Sequence, residues 1–416
     1  MPDISALIER NRAGIPTGLP CFCTANEHVL HAVMQYAASN KVPVVIEATC
    51  NQVNQDGGYT GICASDYANW IYSLANQYGV ARADIVLGGD HLGPNPWRHL
   101  SAAEAMAKAE VLVRDYVKAG FKKIHLDASM ACGEEPTPSF ETVAARAAQL
   151  CRIAEDAAPA PEKLLYVIGT EVPIPGGETD DMDHLAVTPI DRFHETIDTH
   201  REAFQRYGLS HVWPRIVSIV TQPGVDFSHT AVHRFKPDDA SELSKAILKT
   251  NGFSFEAHST DYQPTAALAE LVTNHFFFLK VGPELTFRMR EAVFALAAIE
   301  DELQVERPSG LIGAIDNAMD EDHSNWASYY RGAPNEVSQL RHFSYSDRMR
   351  YYWTVPEVKQ ALGTLLINLE DQRPPETIVS QHFASRGFGN LSAPPRQLLT
   401  DHINLCVSRY YSACGY

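Results

Sequence analysis

The sequence predicts a (β/α)8 barrel, an α/β fold of the TIM-barrel class, followed by a helical C-terminal extension. Three observations lead there. Between residues 15 and 303, short apolar and β-branched runs alternate with longer segments of helical period. There are eight such runs, and eight βα units over about 290 residues match a barrel that typically needs about 250. Each run stays apolar until its last few residues and then turns polar, as expected where strand ends converge on one mouth.

The runs are LPCFCTAN, VPVVIEATCN, DIVLGGDH, KKIHLDAS, LLYVIGTE, RIVSIVTQ, FSFEAHST and FFFLKVG. Amphipathic stretches separate them, such as Ser101 to Ala119 and Phe140 to Ala157. Ser101 with Glu104 forms the pattern of a capping box at the start of the first. A doubly wound open sheet is the alternative. It would need a glycine-rich phosphate fingerprint after the first strand, and CFCTANEHV has none.

After about residue 304 the character changes. RPSGLIGAIDNAMDEDHSNWASYYRGAPNEVSQLRHFSYSDRMRYYW is helical, aromatic and arginine-containing, and the tail to Tyr416 reads as mostly helical. The expected organisation is a barrel over 1–303 and an extension over 304–416 packed against it. Within SYSDRMRYYW, Arg348 or Arg350 could reach a phosphate or a partner chain, and Arg348 is the candidate for substrate. The alternative is a surface helix with ordinary salt bridges.

Composition narrows the class. The 416 residues are 45% hydrophobic and 20% charged, a globular balance with a formal net charge of −17. Such an acidic surface disfavours non-specific binding to nucleic acid or to anionic membrane. No run of about 18 apolar residues offers a spanning helix, and MPDISALIERNRAG lacks the apolar core of a signal peptide. Eight cysteines occur without a CxxC pair, which reads as reduced thiols in a core and a cytoplasmic protein.

The carboxyl ends of the runs carry the chemistry: Asn26; Glu47, Asn51 and Gln52; Asp90 and His91; Asp127; Glu171; Gln222; His258 and Asp261; Lys280. Buried charges are unfavourable without partners, so a cluster of them on nearly all eight ends suggests a use. Imidazoles and carboxylates gathered at one mouth suit Zn²⁺ or a similar divalent cation. Asp90 could then move a proton on a substrate hydroxyl. Adjacent residues on a strand point to opposite sides, so Asp90 and His91 meet only if the chain bends there. A lone histidine at a strand end is more often a hydrogen-bonded core residue than a ligand.

GGDHLG, KIHLDAS, GTEVPIPGGET, FEAHSTDY and LKVGPELT run in the order and spacing of class II, metal-dependent ketose-bisphosphate aldolases. VIEATCNQVNQDGGYTG, LGGDHLGPN, YVIGTEVPIPGGE, EAHSTDYQ and YSDRMRYYW more closely resemble the Z subunit of tagatose-1,6-bisphosphate aldolase, over essentially the whole chain. The resemblance implies that Asp90 transfers protons, that His91 and His258 bind zinc, and that Glu171, before Gly176-Gly177, lies near the metal. Glu47 and Asp127 join Asp90 as catalytic candidates, and Glu171 or Gln222 could complete the metal shell. Asn26, Asn51, Gln52, Asp261 and Lys280 are substrate-binding candidates. The chain also departs from the catalytic aldolases. Pro223 stands where they carry a second zinc histidine, STDYQ replaces the glycine-rich phosphate loop, and Gly282 replaces an asparagine that holds the phosphate end.

Two functions follow from the resemblance. One is an accessory, non-catalytic subunit of a separate catalytic tagatose-bisphosphate aldolase chain, in tagatose, galactitol or N-acetylgalactosamine catabolism. The other is a ketose-phosphate 4-epimerase working on tagatose 6-phosphate and fructose 6-phosphate by cleavage, rotation and re-addition. A homo-oligomer is compatible with both. A third reading, tagatose-6-phosphate kinase, lacks support, since there is no GxxxxGK[ST] loop and no kinase glycine-rich loop joined to a catalytic Asp and a Lys.

Overall fold

The computed structural model describes residues 3–169, 185–383 and 390–416. Its strands are β1 Leu19–Cys23, β2 Val44–Thr49, β3 Ile85–Leu92, β4 Lys123–Leu126, β5 Leu165–Ile168, β6 Ile216–Val220, β7 Asp226–Phe227, β8 Val232–His233, β9 Ser254–Ala257 and β10 Phe276–Val281. Eight of them close into a barrel in the order β1-β10-β9-β6-β5-β4-β3-β2. Every pairing in it is parallel. These are the eight runs read from the sequence. The sequence reading did not anticipate β7 and β8, an antiparallel pair in the connection that follows β6.

The helices between strands begin and end where local chemistry dictates. Ser101 and Glu104 form the expected capping box of helix Ala102–Ala119, and the helix stops at Gly120 in the left-handed conformation. One apolar shell lies between the strands and the surrounding helices, and it includes residues of the extension. A smaller cluster fills the amino end of the barrel, where Ile4 and Ile8 of helix Ile4–Arg12 pack with Leu19, Val45, Val86, Val217 and Phe278.

One layer higher the barrel interior is charged. Side chains two residues apart on a strand share a face, so Val45 is followed by Glu47, and Phe278 by Lys280. Lys123 Nζ lies 2.7 Å from Glu47 Oε1 and 2.6 Å from Glu256 Oε2, and all three side chains are fully buried. Lys280 pairs with Glu47 and, at 2.8 Å, with Asp90. Gly88 makes room for this layer, because a Cβ there would stand 2.7 Å from Glu47 Cγ.

The extension folds back on the barrel. Its last helix, Pro395–Ala413, packs against helices Glu27–Asn40, Thr265–Thr273 and Pro283–Leu303. Tyr411 stacks on Tyr36 with ring centroids 5.2 Å apart and donates to the Pro43 carbonyl at 2.9 Å. Tyr410 donates to the Thr260 carbonyl at 2.8 Å. All eight cysteines are unpaired. Among the described residues no helix is long and apolar enough to cross a membrane.

Removing the central cation would leave two carboxylates facing each other without solvent. Lys123→Met is expected to destabilise the protein by about 3–5 kcal/mol, the usual effect of breaking a buried pair. Urea unfolding midpoints of the two proteins check this, and an unchanged midpoint would contradict the account.

Candidate functional site

Asp90 and His91 both face the barrel interior because the backbone departs from a regular strand between them. His91 has φ +48°, in the left-handed region, and the register between β3 and β4 shifts between Gly89 and Leu92. The turn brings the His91 ring in beside the Asp90 carboxylate, where its Nε2 lies 3.7 Å from Asp90 Oδ2. Ser259, Tyr262 and Asp347 are also left-handed and lie at or near the same cavity. Non-glycine residues held in this conformation concentrate at functional sites.

Three imidazoles meet there. Ring centroids of His91, His125 and His258 lie 4.9–5.2 Å apart. Each has one ring nitrogen tied to a carboxylate: His91 Nδ1 to Asp127 Oδ2 at 2.8 Å, His125 Nδ1 to Asp90 Oδ1 at 3.0 Å, and His258 Nε2 to Glu256 Oε1 at 2.9 Å. His125 Nδ1 also lies 3.2 Å from the His91 amide nitrogen. His125 thus turns Nδ1 toward both the His91 amide and the Asp90 carboxylate. Its Nε2 is buried and has no hydrogen-bond partner.

This donor set fits a divalent cation on two grounds. Metal-binding histidines commonly turn their second ring nitrogen to a carboxylate, and each of the three here has one ring nitrogen within hydrogen-bond distance of a carboxylate. Ligand atoms of Asp90, His91, His125 and His258 all lie within 4.8 Å of one another. The charge count agrees. Glu47, Asp90 and Glu256 pair with Lys123 and Lys280, and Asp127 pairs with His91, so the four carboxylates outnumber the two ammonium groups.

Local electrostatics follow from burial and from these pairs. Burial alone would lower the His91 imidazole, but Asp90 and Asp127 outweigh it and raise it to about 9. Burial lowers His258, partly opposed by Glu256. Burial would raise the Asp90 carboxyl, yet the three imidazoles hold it well below the usual carboxylate range. Burial lowers Lys280 to about 8. Burial and the neighbouring Asp90 charge keep Cys23 a thiol.

The predicted residues divide into those at the cavity and those elsewhere. Asp90, His91, His258, Lys280, Asn26, Asn51, Gln52 and Asp261 line one cavity at the carboxyl end of the barrel. Asn26 Oδ1 also caps helix Glu27–Asn40 through the His28 and Val29 amides. Gln52 Oε1 accepts from the Thr49 amide at 2.8 Å. Asp127 acts through His91 rather than from the cavity wall, and Glu47 lies beneath the cavity, locked between two lysines.

Two expectations are corrected. Gln222 Oε1 is engaged elsewhere than in a metal shell, since it accepts from the Gly224 and Val225 amides at 2.8 and 2.9 Å and closes a turn. Arg348 does not reach the cavity. It donates to the Asn325 carbonyl and lies over the Tyr329 ring, while Arg350 lines the cavity instead. Glu171 lies outside the described residues. Sequence reasoning missed His125 and Glu256, although each sits two residues before a residue it did single out, Asp127 and His258, and so shares its face of the strand.

Asp261 supplies a test of the electrostatics. Its Oδ1 accepts from the Gly282 and Glu284 amides at the start of helix Pro283–Leu303. Burial, then the Glu284 charge, raise its carboxyl from 3.8 to about 7. The folded protein therefore holds this proton between pH values where the unfolded chain has lost it, so this group lowers stability as pH rises through that window. Asparagine keeps the acceptor and removes the titration. Asp261→Asn is expected to gain stability relative to the parent between pH 4 and 7, read from urea midpoints. A constant difference across that range would refute it.

Comparison with known proteins places this geometry in a family. Residues 4–415 match the family model of the D-tagatose-1,6-bisphosphate aldolase subunit GatZ/KbaZ-like. A crystal structure of a probable tagatose 6 phosphate kinase from Sinorhizobium meliloti 1021 is 43% identical, with a TM-score of 0.87, covering 95% of this chain and 100% of that one. The YdjI aldolase from Escherichia coli K12 is 13% identical with a TM-score of 0.41, covering 86% and 98%. The fructose-bisphosphate aldolase of Campylobacter jejuni is 14% identical with a TM-score of 0.43, covering 88% and 93%. The chain belongs to the GatZ/KbaZ-like family of D-tagatose-1,6-bisphosphate aldolase subunits.

Proposed function

We propose that the chain is a divalent-cation-dependent enzyme that epimerises a ketose phosphate at carbon 4, interconverting tagatose 6-phosphate and fructose 6-phosphate. The observation that carries the reading is a cluster of three carboxylate-anchored imidazoles, two of them lining a cavity with Asp90 and the third, His125, fully buried beside them with an orphaned nitrogen. His91, His125 and His258 would hold the cation, and a nitrogen-rich donor set favours zinc. A cation held there supplies electrophilic polarisation of the ketose carbonyl oxygen. His125 would supply the third imidazole that Pro223 does not.

The chain's own groups account for the remaining steps. Asp90 takes the proton of the carbon 4 hydroxyl as the bond between carbons 3 and 4 breaks, its electron pair passing to the three-carbon fragment. The aldehyde fragment turns within the cavity, the bond re-forms on its other face, and Asp90 returns the proton. Lys280, 2.8 Å from Asp90, and His125 orient the carboxylate. Lys280 and His91 line the same cavity and would help to retain the fragments.

The family's description as an aldolase subunit favours a second reading, an accessory role beside a catalytic aldolase chain. The tagatose 6 phosphate kinase name of the Sinorhizobium relative has no counterpart in a nucleotide-phosphate motif of this sequence.

The isolated chain, offered tagatose 6-phosphate, is expected to produce fructose 6-phosphate by NMR and to lose this activity on chelation. His125→Ala and His258→Ala should each lose bound metal by elemental analysis. Asp90→Asn should keep the metal and lower kcat about 10²–10⁴-fold, the usual contribution of a positioned acid–base group. A metal-free chain with no turnover, active only in restoring a catalytic partner, would leave the accessory reading.

A further inference from the structure

The cavity contains one cation that, among the described residues, forms no salt bridge with a carboxylate. Arg350 lies in the turn Arg348–Tyr351 of the extension, yet it lines the same cavity as Asp90, His91 and His258. Its Nη1 donates to the backbone carbonyls of Ser346 and, at 3.1 Å, Asp347, and its Nη2 donates to Tyr351 Oη at 2.8 Å. These neutral acceptors fix the guanidinium plane without cancelling its charge. Asp347 accepts from Thr286 Oγ1 and attracts Arg350 at longer range without forming a salt bridge with it. The other lining cation, Lys280, is matched by Glu47 and Asp90.

Buried charges in proteins are otherwise paired, and an oriented guanidinium facing a cavity is suited to a planar or tetrahedral oxyanion. The hydroxyl-bearing residues Thr286 and Tyr59 line the same cavity. We propose that Arg350 is the anchor of the substrate's phosphoryl group, so that the extension, rather than a barrel loop, supplies the phosphate subsite. This rests on the ketose-phosphate reading above and narrows it. Among the described residues no second unmatched cation lines the cavity, so the site takes a monophosphate, with the other end of the sugar neutral. A bisphosphate would place its second dianion against Asp90 and the acidic barrel interior.

The test compares the full-length metal-loaded protein with Arg350→Gln, Arg350→Lys and, as a control, Arg348→Gln. Arg350→Gln is expected to raise KM for tagatose 6-phosphate roughly 10–100-fold, the effect of losing charge-assisted hydrogen bonds. KM for unphosphorylated tagatose should stay the same. Arg350→Lys, which keeps the charge and loses the fork, should fall between, and Arg348→Gln should behave as the parent if folded. Binding of inorganic phosphate, followed by calorimetry, should weaken in Arg350→Gln by a similar factor. That readout does not depend on turnover, so it holds the inference apart from the epimerase reading. If the parent turns over no ketose phosphate but loses phosphate binding on Arg350→Gln, the anion subsite stands and the reaction does not. Equal effects on phosphorylated and unphosphorylated sugar, unchanged phosphate binding in both Arg350 variants, or tighter binding of the 1,6-bisphosphate than of the monophosphate would overturn it.

Discussion

Lys123, fully buried between Glu47 and Glu256, is the interaction on which the upper half of the barrel depends. Each glutamate it neutralises has a second duty. Glu47 holds Lys280, which in turn holds Asp90, and Glu256 holds His258. The ammonium therefore sets the position of two groups that line the cavity without reaching it. Desolvating these charges is unfavourable, and apolar residues of the same volume would often serve stability as well. What apolar residues could not do is orient an imidazole and a carboxylate from below.

The same layering explains which parts of the molecule were legible in the sequence. All eight barrel strands could be read, because each is a short apolar run with a polar end and the helices between them have helical period. Asp90, His91 and His258 could be read because they sit at those ends. His125 and Glu256 sit one alternation deeper, inside runs that look like ordinary core, and only the face they share with Asp127 and His258 betrays them. Gln222 looked like a ligand because it ends a strand, but the turn that follows uses its oxygen. The choice between Arg348 and Arg350 depends on the path of a short turn, which no periodic pattern encodes.

The extension is part of the barrel's architecture. Its last helix packs on three barrel helices, and Tyr410 reaches Thr260, whose hydroxyl donates to the Lys280 carbonyl. An earlier turn of the extension places Arg350 at the cavity, and Tyr345 accepts from Tyr262 at 2.6 Å. The cavity wall is therefore assembled from segments far apart in sequence.

The left-handed backbone at His91 limits what can replace it. Glycine or asparagine would relax the main chain there, because they tolerate positive φ. Neither carries an imidazole. Both thus abolish the imidazole donor, while β-branched residues satisfy neither requirement. Aspartate also tolerates this backbone and would keep a ligand atom, but with an added negative charge beside Asp90 and Asp127 in place of an imidazole.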